Sequence, residues 1–135
     1  MSRQFAARAA RLMAFALVIA GSPAVTTAEP AAGALNARDA GARYGQALGA
    51  IEICIGTKTT DKLAALLASY SGDEQQVFKD QAAKVFEAWV KVKNCKRQDD
   101  PNQCKIIMDR SCESALAEIG PAGTSIPGLI TPPAK

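Results

Sequence analysis

Residues 71–93 read SGDEQQVFKDQAAKVFEAWVKVK and carry the clearest helical periodicity in the chain. Apolar residues recur every three or four positions, at 78, 82, 85, 89 and 92, and the charged residues fall between them. Ser71 and Glu74 have the spacing of a capping box, in which the serine side chain accepts a hydrogen bond from the glutamate backbone N–H. The pattern therefore predicts an amphipathic helix that begins near Gly72 and buries one face.

A helix with a different surface is predicted upstream, from about residue 37 to residue 55, with Asn36 as its candidate N-cap. Gly41, Gly45 and Gly49 recur every four residues along it. Each glycine costs the helix about 1 kcal/mol relative to alanine, but together they form a ridge of small residues. We therefore expect another helix to pack closely on this ridge. Gly56 suits the left-handed position that follows a helix end.

Two more helices complete the predicted bundle. A short one begins near residue 59 or 60, where a threonine can cap it. The last one starts after Asp100, its predicted N-cap, with Pro101 in the first helical position, and ends near residue 119 before Gly120. The predicted fold class is all-α: a small four-helix bundle, in one variant three long helices plus one short, within residues 37–120.

The segments outside the bundle have their own signals. Residues 1–28 contain three arginines, an apolar run at 12–20, and small residues at 26 and 28, which is the pattern of a cleaved secretory signal peptide. Residues 29–36 are predicted to be flexible, and residues 121–135 are predicted to form an extended tail because they are rich in Pro and Gly. We therefore expect export to the periplasm of a Gram-negative bacterium, with secretion from the cell as the alternative.

Charge does not point to nucleic acid. The chain carries 16 Lys+Arg and 13 Asp+Glu, and three of the arginines lie in the predicted signal peptide, which leaves 13 against 13. A domain with equal numbers of positive and negative residues lacks the net positive charge that attracts a polyanion. Nucleic acid is therefore not an expected partner.

Four cysteines follow the predicted cleavage site, and in an exported chain of this size they predict two disulfides. Cys104 and Cys112 lie on one predicted helix with Cα atoms about 12 Å apart, whereas a disulfide needs roughly 7 Å or less. The turn before Pro101 brings Cys95 next to Cys104. We therefore predict the pairs Cys95–Cys104 and Cys54–Cys112.

Catalytic machinery is sparse. The chain has no histidine, the commonest general base and metal ligand. No pair of cysteines has the Cys-x-x-Cys spacing of a thiol oxidoreductase. The paired carboxylates lie at predicted helix starts or on an ordinary solvated face: Asp73 with Glu74, Asp99 with Asp100, and Asp109 with Glu113. The chain is predicted not to be an enzyme and to hold no cofactor and no metal.

Two features suggest a binding role. The apolar part of the tail can dock on another protein in extended form, although packing into its own bundle is the favoured alternative. A basic cluster near the end of the third helix can contact anionic lipid or a carbohydrate polymer, although such clusters are more often solvated helix ends. The candidate partner-binding residues are Ile126, Leu129, Ile130, Lys93, Lys96 and Arg97.

These features together predict a small exported, non-catalytic helical protein that binds another protein, as accessory proteins, chaperones, immunity proteins and adaptors do. A small-ligand or cell-envelope binding module is the first alternative, and a carboxylate-based enzyme is the second. We expect no transmembrane anchor, and a monomer or small oligomer.

Overall fold

The computed structural model describes residues 35–95 and 100–134. The predicted signal peptide, together with Lys96, Arg97 and Asp99, lies outside these residues. The elements in chain order are α1 (Ala37–Ile53), β1 (Lys58–Thr59), α2 (Asp61–Ala68), α3 (Gly72–Lys93), α4 (Pro101–Ile119) and β2 (Ile130–Thr131). Four helices, of which α2 is short, and one two-stranded sheet confirm the predicted all-α bundle.

The α1 helix begins and ends on local signals. Asn36 Oδ1 accepts a hydrogen bond from the backbone N–H of Asp39 at 2.9 Å, as expected of an N-cap. The helix ends at Ile53, two residues earlier than predicted. Gly56 follows with φ of +79°, the left-handed conformation that glycine adopts without a steric penalty.

Close packing of α1 on α3 organises the bundle. A Cβ atom built on Gly41 would lie 2.3 Å from the carbonyl oxygen of Phe78, and one built on Gly45 would lie 2.3 Å from that of Ala82. Only glycine allows the two backbones to come so close. The predicted role of the glycine ridge is confirmed, and the order of these contacts makes α1 and α3 parallel.

The start of α3 differs from the prediction. Ser71 is the N-cap residue, but its side chain makes no capping hydrogen bond. Gly72 has φ of +56°, so the first turn lacks the regular geometry that a capping box needs. The side chain of Gln75 instead donates to the carbonyl oxygen of Tyr70 at 3.1 Å. The predicted capping box was wrong, although the predicted first residue of the helix was right.

The α4 helix has the predicted cap. Asp100 Oδ1 accepts from the backbone N–H groups of Asn102 at 2.8 Å and Gln103 at 3.3 Å, and Pro101 occupies the first turn. Cys54, after the end of α1, is joined to Cys112, whereas Gln46, earlier on α1, bonds to Glu118, later on α4, so the two helices run antiparallel.

Two disulfides hold the helices together. Cys54 is joined to Cys112 with a Cα–Cα distance of 5.6 Å, and Cys95 is joined to Cys104 with a distance of 5.7 Å. These are the two pairs that helix spacing favoured. Structural disulfides are typical of an extracellular or otherwise oxidising compartment. Within residues 35–95 and 100–134, no helix has the length and hydrophobicity that a membrane crossing requires.

The C-terminal segment belongs to the core. Leu129 and Ile130 are fully buried and pack with Ile53, Leu63 and Ile119. The strand β2 pairs antiparallel with β1, and the backbone N–H of Leu129 donates to the carbonyl oxygen of Ile119 at 3.0 Å. Residues 121–135 were predicted to form an extended tail, whereas the described part packs back on the bundle and contributes one two-residue strand, Ile130–Thr131. This packing matches the alternative in which these apolar residues complete a thin core, and it leaves Leu129 and Ile130 out of a partner's reach.

Candidate functional site

A groove separates α3 from α4. Both helices pack on α1, but they touch each other only slightly, near the Cys95–Cys104 disulfide that closes one end. The space between them has a volume of about 380 Å³. We call it the α3–α4 groove, and the residues that line it are Gln46, Ala88, Trp89, Val92, Arg110, Ser111 and Ser114.

The α3 wall of the groove is apolar. Trp89 and Val92 are half-buried and pack against the main core. Trp89 lies directly on Gly49, where an added Cβ would be 2.2 Å from Trp89 Cγ. The third glycine of the ridge therefore makes room for the only tryptophan of the chain. Because the ring is only half-buried, part of it remains accessible from the groove.

The α4 wall is polar. Ser111 and Ser114 follow Arg110 along the helix, and Ser114 Oγ donates to Glu118 Oε1 at 3.5 Å. Arg110 is exposed and has no carboxylate within 4 Å in the part of the chain that the structure describes. Ile107, 44% exposed, lies one helical turn before Ser111 on the same side of α4. The lining of the groove thus includes an arginine from α4 and an aromatic ring from α3.

Gln46, in the groove lining, belongs to a polar cluster that links α1, α4 and the C-terminal segment. Arg43 donates to the carboxylate of Glu118, and through Nη1 to Gln46 Oε1 at 2.9 Å. Gln46 Nε2 donates to the same Glu118 carboxylate at 2.7 Å, and Arg43 Nε donates to Ser125 Oγ at 3.1 Å. The charges of Arg43 and Glu118 offset one another. The cluster therefore holds α1, α4 and the C-terminal segment in register without adding net charge to the groove.

Two described lysines near the turn between α3 and α4 form ion pairs. Lys93 Nζ contacts Glu52 Oε2 at 2.5 Å, and Lys105 pairs with Asp109 one turn further along α4. The hydrogen bond with Asp109 raises the pKa of Lys105 above its ordinary value. Lys93 is thus engaged at the surface of α1, and the described cations do not form a continuous patch.

Ile126, another candidate binding residue, is half-buried against the core that contains Leu129 and Ile130. Lys96 and Arg97 lie outside the described residues. The carboxylate of Asp100 caps α4, and that of Asp109 pairs with Lys105. Among the described residues, no group of three or more His, Cys, Asp or Glu side chains is placed to hold a metal ion.

Two apolar hollows lie elsewhere on the surface. One, of about 280 Å³, lies between α1, α2 and α3 and is lined by Tyr44, Phe78 and Phe86 among others. The second, of about 350 Å³, lies beside the Cys54–Cys112 disulfide and the exposed Ile55. Neither has an arginine in its lining, so the α3–α4 groove offers more varied recognition chemistry than either.

The groove was not found by sequence reasoning. Trp89 and Val92 belong to the apolar stripe predicted for α3, and Arg110 was not among the candidate binding residues. The lone tryptophan was the available signal, because tryptophan is rarely fully buried. No family model, curated protein or solved structure matches the chain.

Proposed function

We propose that the chain is an exported, non-catalytic protein that binds a segment of another protein in the α3–α4 groove. The observation that carries this proposal is a groove lined by the half-buried Trp89 and by Arg110, which has no carboxylate within 4 Å among the described residues. Tryptophan and arginine are the residues most enriched among those that dominate binding energy at protein interfaces. An accessory protein, chaperone, immunity protein or adaptor uses such a surface.

Three features fix the walls of the groove relative to one another. The glycine ridge seats α3 on α1, the Cys54–Cys112 disulfide holds α4 on α1, and the Cys95–Cys104 disulfide joins the two walls. A binding surface fixed before its partner arrives loses less conformational entropy on association. This rigidity favours recognition by a preformed site.

The shape of the groove favours a chain segment over an isolated small molecule. Small-molecule sites usually bury 70–90% of the ligand surface, whereas this groove is open to solvent between two helices. Its volume of about 380 Å³ is still within the range of such sites. A small-ligand or cell-envelope binding module is therefore the second candidate function. A carboxylate-based enzyme has less support, because Asp100, Asp109 and Glu118 are engaged in a cap or ion pairs.

Export is part of the proposal. The two disulfides support an oxidising compartment, and residues 1–28 have the composition of a cleaved signal peptide. We place the protein in the periplasm of a Gram-negative bacterium, with secretion from the cell as the alternative.

Site-specific photo-crosslinking tests the proposal. A photo-reactive residue replaces Ala88 in the groove, or the equally exposed Ala83, which faces the hollow on the other side of α3. In cells that export the protein, we expect a protein adduct of defined mass from position 88 and little from position 83. Equal adducts from the two positions, or none from position 88, would contradict binding in the groove. Thermal stabilisation by a small metabolite, without any adduct, would support the second candidate instead.

A further inference from the structure

We propose that the α3–α4 groove recognises an acidic, partly apolar segment of its partner. A carboxylate of that segment pairs with Arg110, and a neighbouring apolar side chain packs on Trp89. This inference rests on the proposed function, because it specifies the chemistry of the segment that the groove binds.

On the α4 wall, no acidic residue in the groove lining offsets the positive charge of Arg110. Arg110 lines the groove, whereas Asp109 and Glu113 do not. Asp109 precedes Arg110 by one residue, so it points about 100° away around the helix, and it is engaged with Lys105. A guanidinium group without a carboxylate partner presents a planar fork that matches a carboxylate with two parallel hydrogen bonds.

The lysines of α3 lie outside the groove lining. Lys84 and Lys91 are one turn before and one turn after Ala88 on the helix, and Lys84 lines a separate hollow with Arg38 and Asp80. Asp80 and Glu87 stand four residues before these two lysines, but neither lysine forms an ion pair within 4 Å in the described part of the chain. This side of α3 therefore carries two lysines and two carboxylates, and Arg110 is the one charged residue in the described lining of the groove.

No carboxylate in the lining offsets this charge. The lining contains Gln46 but no Asp or Glu, and the nearby Glu118 is already neutralised by Arg43. Gln46 uses its carbonyl oxygen on Arg43 and its amide on Glu118, so its orientation is fixed. The groove thus combines the cation Arg110 with an apolar strip formed by Trp89 and Val92. Acidic side chains alternating with apolar ones complement both features.

Trp89 provides the measurement, because it is the only tryptophan and its emission reports contacts in the groove. The probes are blocked peptides that contain Glu-Leu-Glu, and matched peptides that contain Gln-Leu-Gln. They are titrated into the purified protein, in the form that the expressing cell exports. We expect the acidic peptide to bind about tenfold more tightly at low salt, and to lose this advantage as salt is added.

Two charge-neutralising variants locate the effect. Arg110→Gln removes the proposed anchor, and Lys79→Gln removes a charge from the opposite side of α3, where Lys79 borders the apolar hollow. We expect Arg110→Gln to abolish the preference for the acidic peptide, and Lys79→Gln to keep it.

Three outcomes would overturn the inference. They are equal binding of the two peptides, no emission change with acidic peptide up to about 1 mM, and a response only to vesicles of anionic phospholipid. A groove adduct at position 88 that persists in Arg110→Gln would show that the protein-binding proposal survives while the acidic preference fails. Loss of the adduct in the wild-type chain would remove both.

Discussion

Single glycines set the distance between α1 and α3. The carbonyl oxygens of Phe78 and Ala82 face Gly41 and Gly45, and these backbone atoms cannot rotate away as a side chain can. The i, i+4 spacing of the glycines was enough to predict close packing. The sequence did not reveal which helix would pack there, because several helices of similar length were candidates. That identity depends on tertiary contacts.

Gly45→Ala tests this role. The new Cβ would lie 2.3 Å from the Ala82 carbonyl oxygen, so we expect overpacking to cost about 3 kcal/mol, against a gain in helix propensity of about 1 kcal/mol. Urea denaturation should show a net loss of about 2 kcal/mol. Gly72→Ala is the comparison, since nothing lies within 4 Å of its Cβ and only its φ of +56° is unfavourable. Unchanged stability of Gly45→Ala would refute the close contact.

Tyr70 ties the start of α1 to the end of α2. Its hydroxyl donates to the carbonyl oxygen of Leu35 at 2.6 Å, and its ring lies 5.2 Å from that of Phe78. Burial, and secondarily the charge of Glu74, raises the pKa of Tyr70 above its ordinary value of 10.0. The neutral phenol is therefore the form that the folded state favours.

This shift has a defined sign in a pH titration. Because the folded pKa of Tyr70 is raised, its contribution to stability is complete below pH 10.0 and is lost as the pH rises through the folded value. Tyr70→Phe cannot lose this proton. We expect the difference in unfolding free energy between wild type and Tyr70→Phe to shrink in alkaline solution. A difference that stays constant from neutral to alkaline pH would contradict the assignment.

At the scale of elements, local sequence signals predicted the helices but not the two-stranded sheet. Asn36 and Asp100 cap α1 and α4 as their residue types predicted. The strands β1 and β2 have two residues each, which is too short for an alternating pattern. Pairing Lys58 with Thr131 joins residues far apart in the chain, so only the folded core positions them. Because the tail is rich in Pro and Gly, its composition did not indicate that part of it is buried.

Matched truncations test whether the C-terminal segment is part of the core. Leu129 is 0% exposed and Ile55 is 95% exposed. We expect Leu129→Ala to destabilise the protein by about 2–5 kcal/mol, and Ile55→Ala to change stability by less than about 0.5 kcal/mol. Thermal unfolding of the two variants measures the contrast. Similar melting temperatures for both would mean that the segment is not packed as described.

For the whole molecule, the disulfides connect stability with the site. Helix spacing excluded the pair Cys104–Cys112, and the turn before Pro101, which brings Cys95 next to Cys104, favoured the observed pairing. The α3–α4 groove was not predictable, because Gln46, Trp89 and Arg110 come from three helices. Each of these residues is locally ordinary. The three residues form one surface only when α3 and α4 are packed on α1.

Removal of each disulfide has a separate expected effect. Cys54 and Cys112 are 58 residues apart, and Cys95 and Cys104 are 9 apart. Loop-closure entropy then predicts a stability loss of about 4 kcal/mol for the Cys54→Ala/Cys112→Ala double variant and about 3 kcal/mol for Cys95→Ala/Cys104→Ala. Chemical denaturation of the oxidised proteins measures both. A larger loss from the short loop would contradict the expected order.

Hydrogen exchange of the protein, with and without the partner captured at position 88, tests the central claim that the α3–α4 groove is the binding site. Amides of α3 after residue 84 and of α4 around Arg110 lie along the groove. We predict that the partner slows exchange in these two segments and leaves α2 and the β1–β2 pair unchanged. Slowed exchange confined to α2 or the β1–β2 pair, with α3 and α4 unaffected, would contradict the claim.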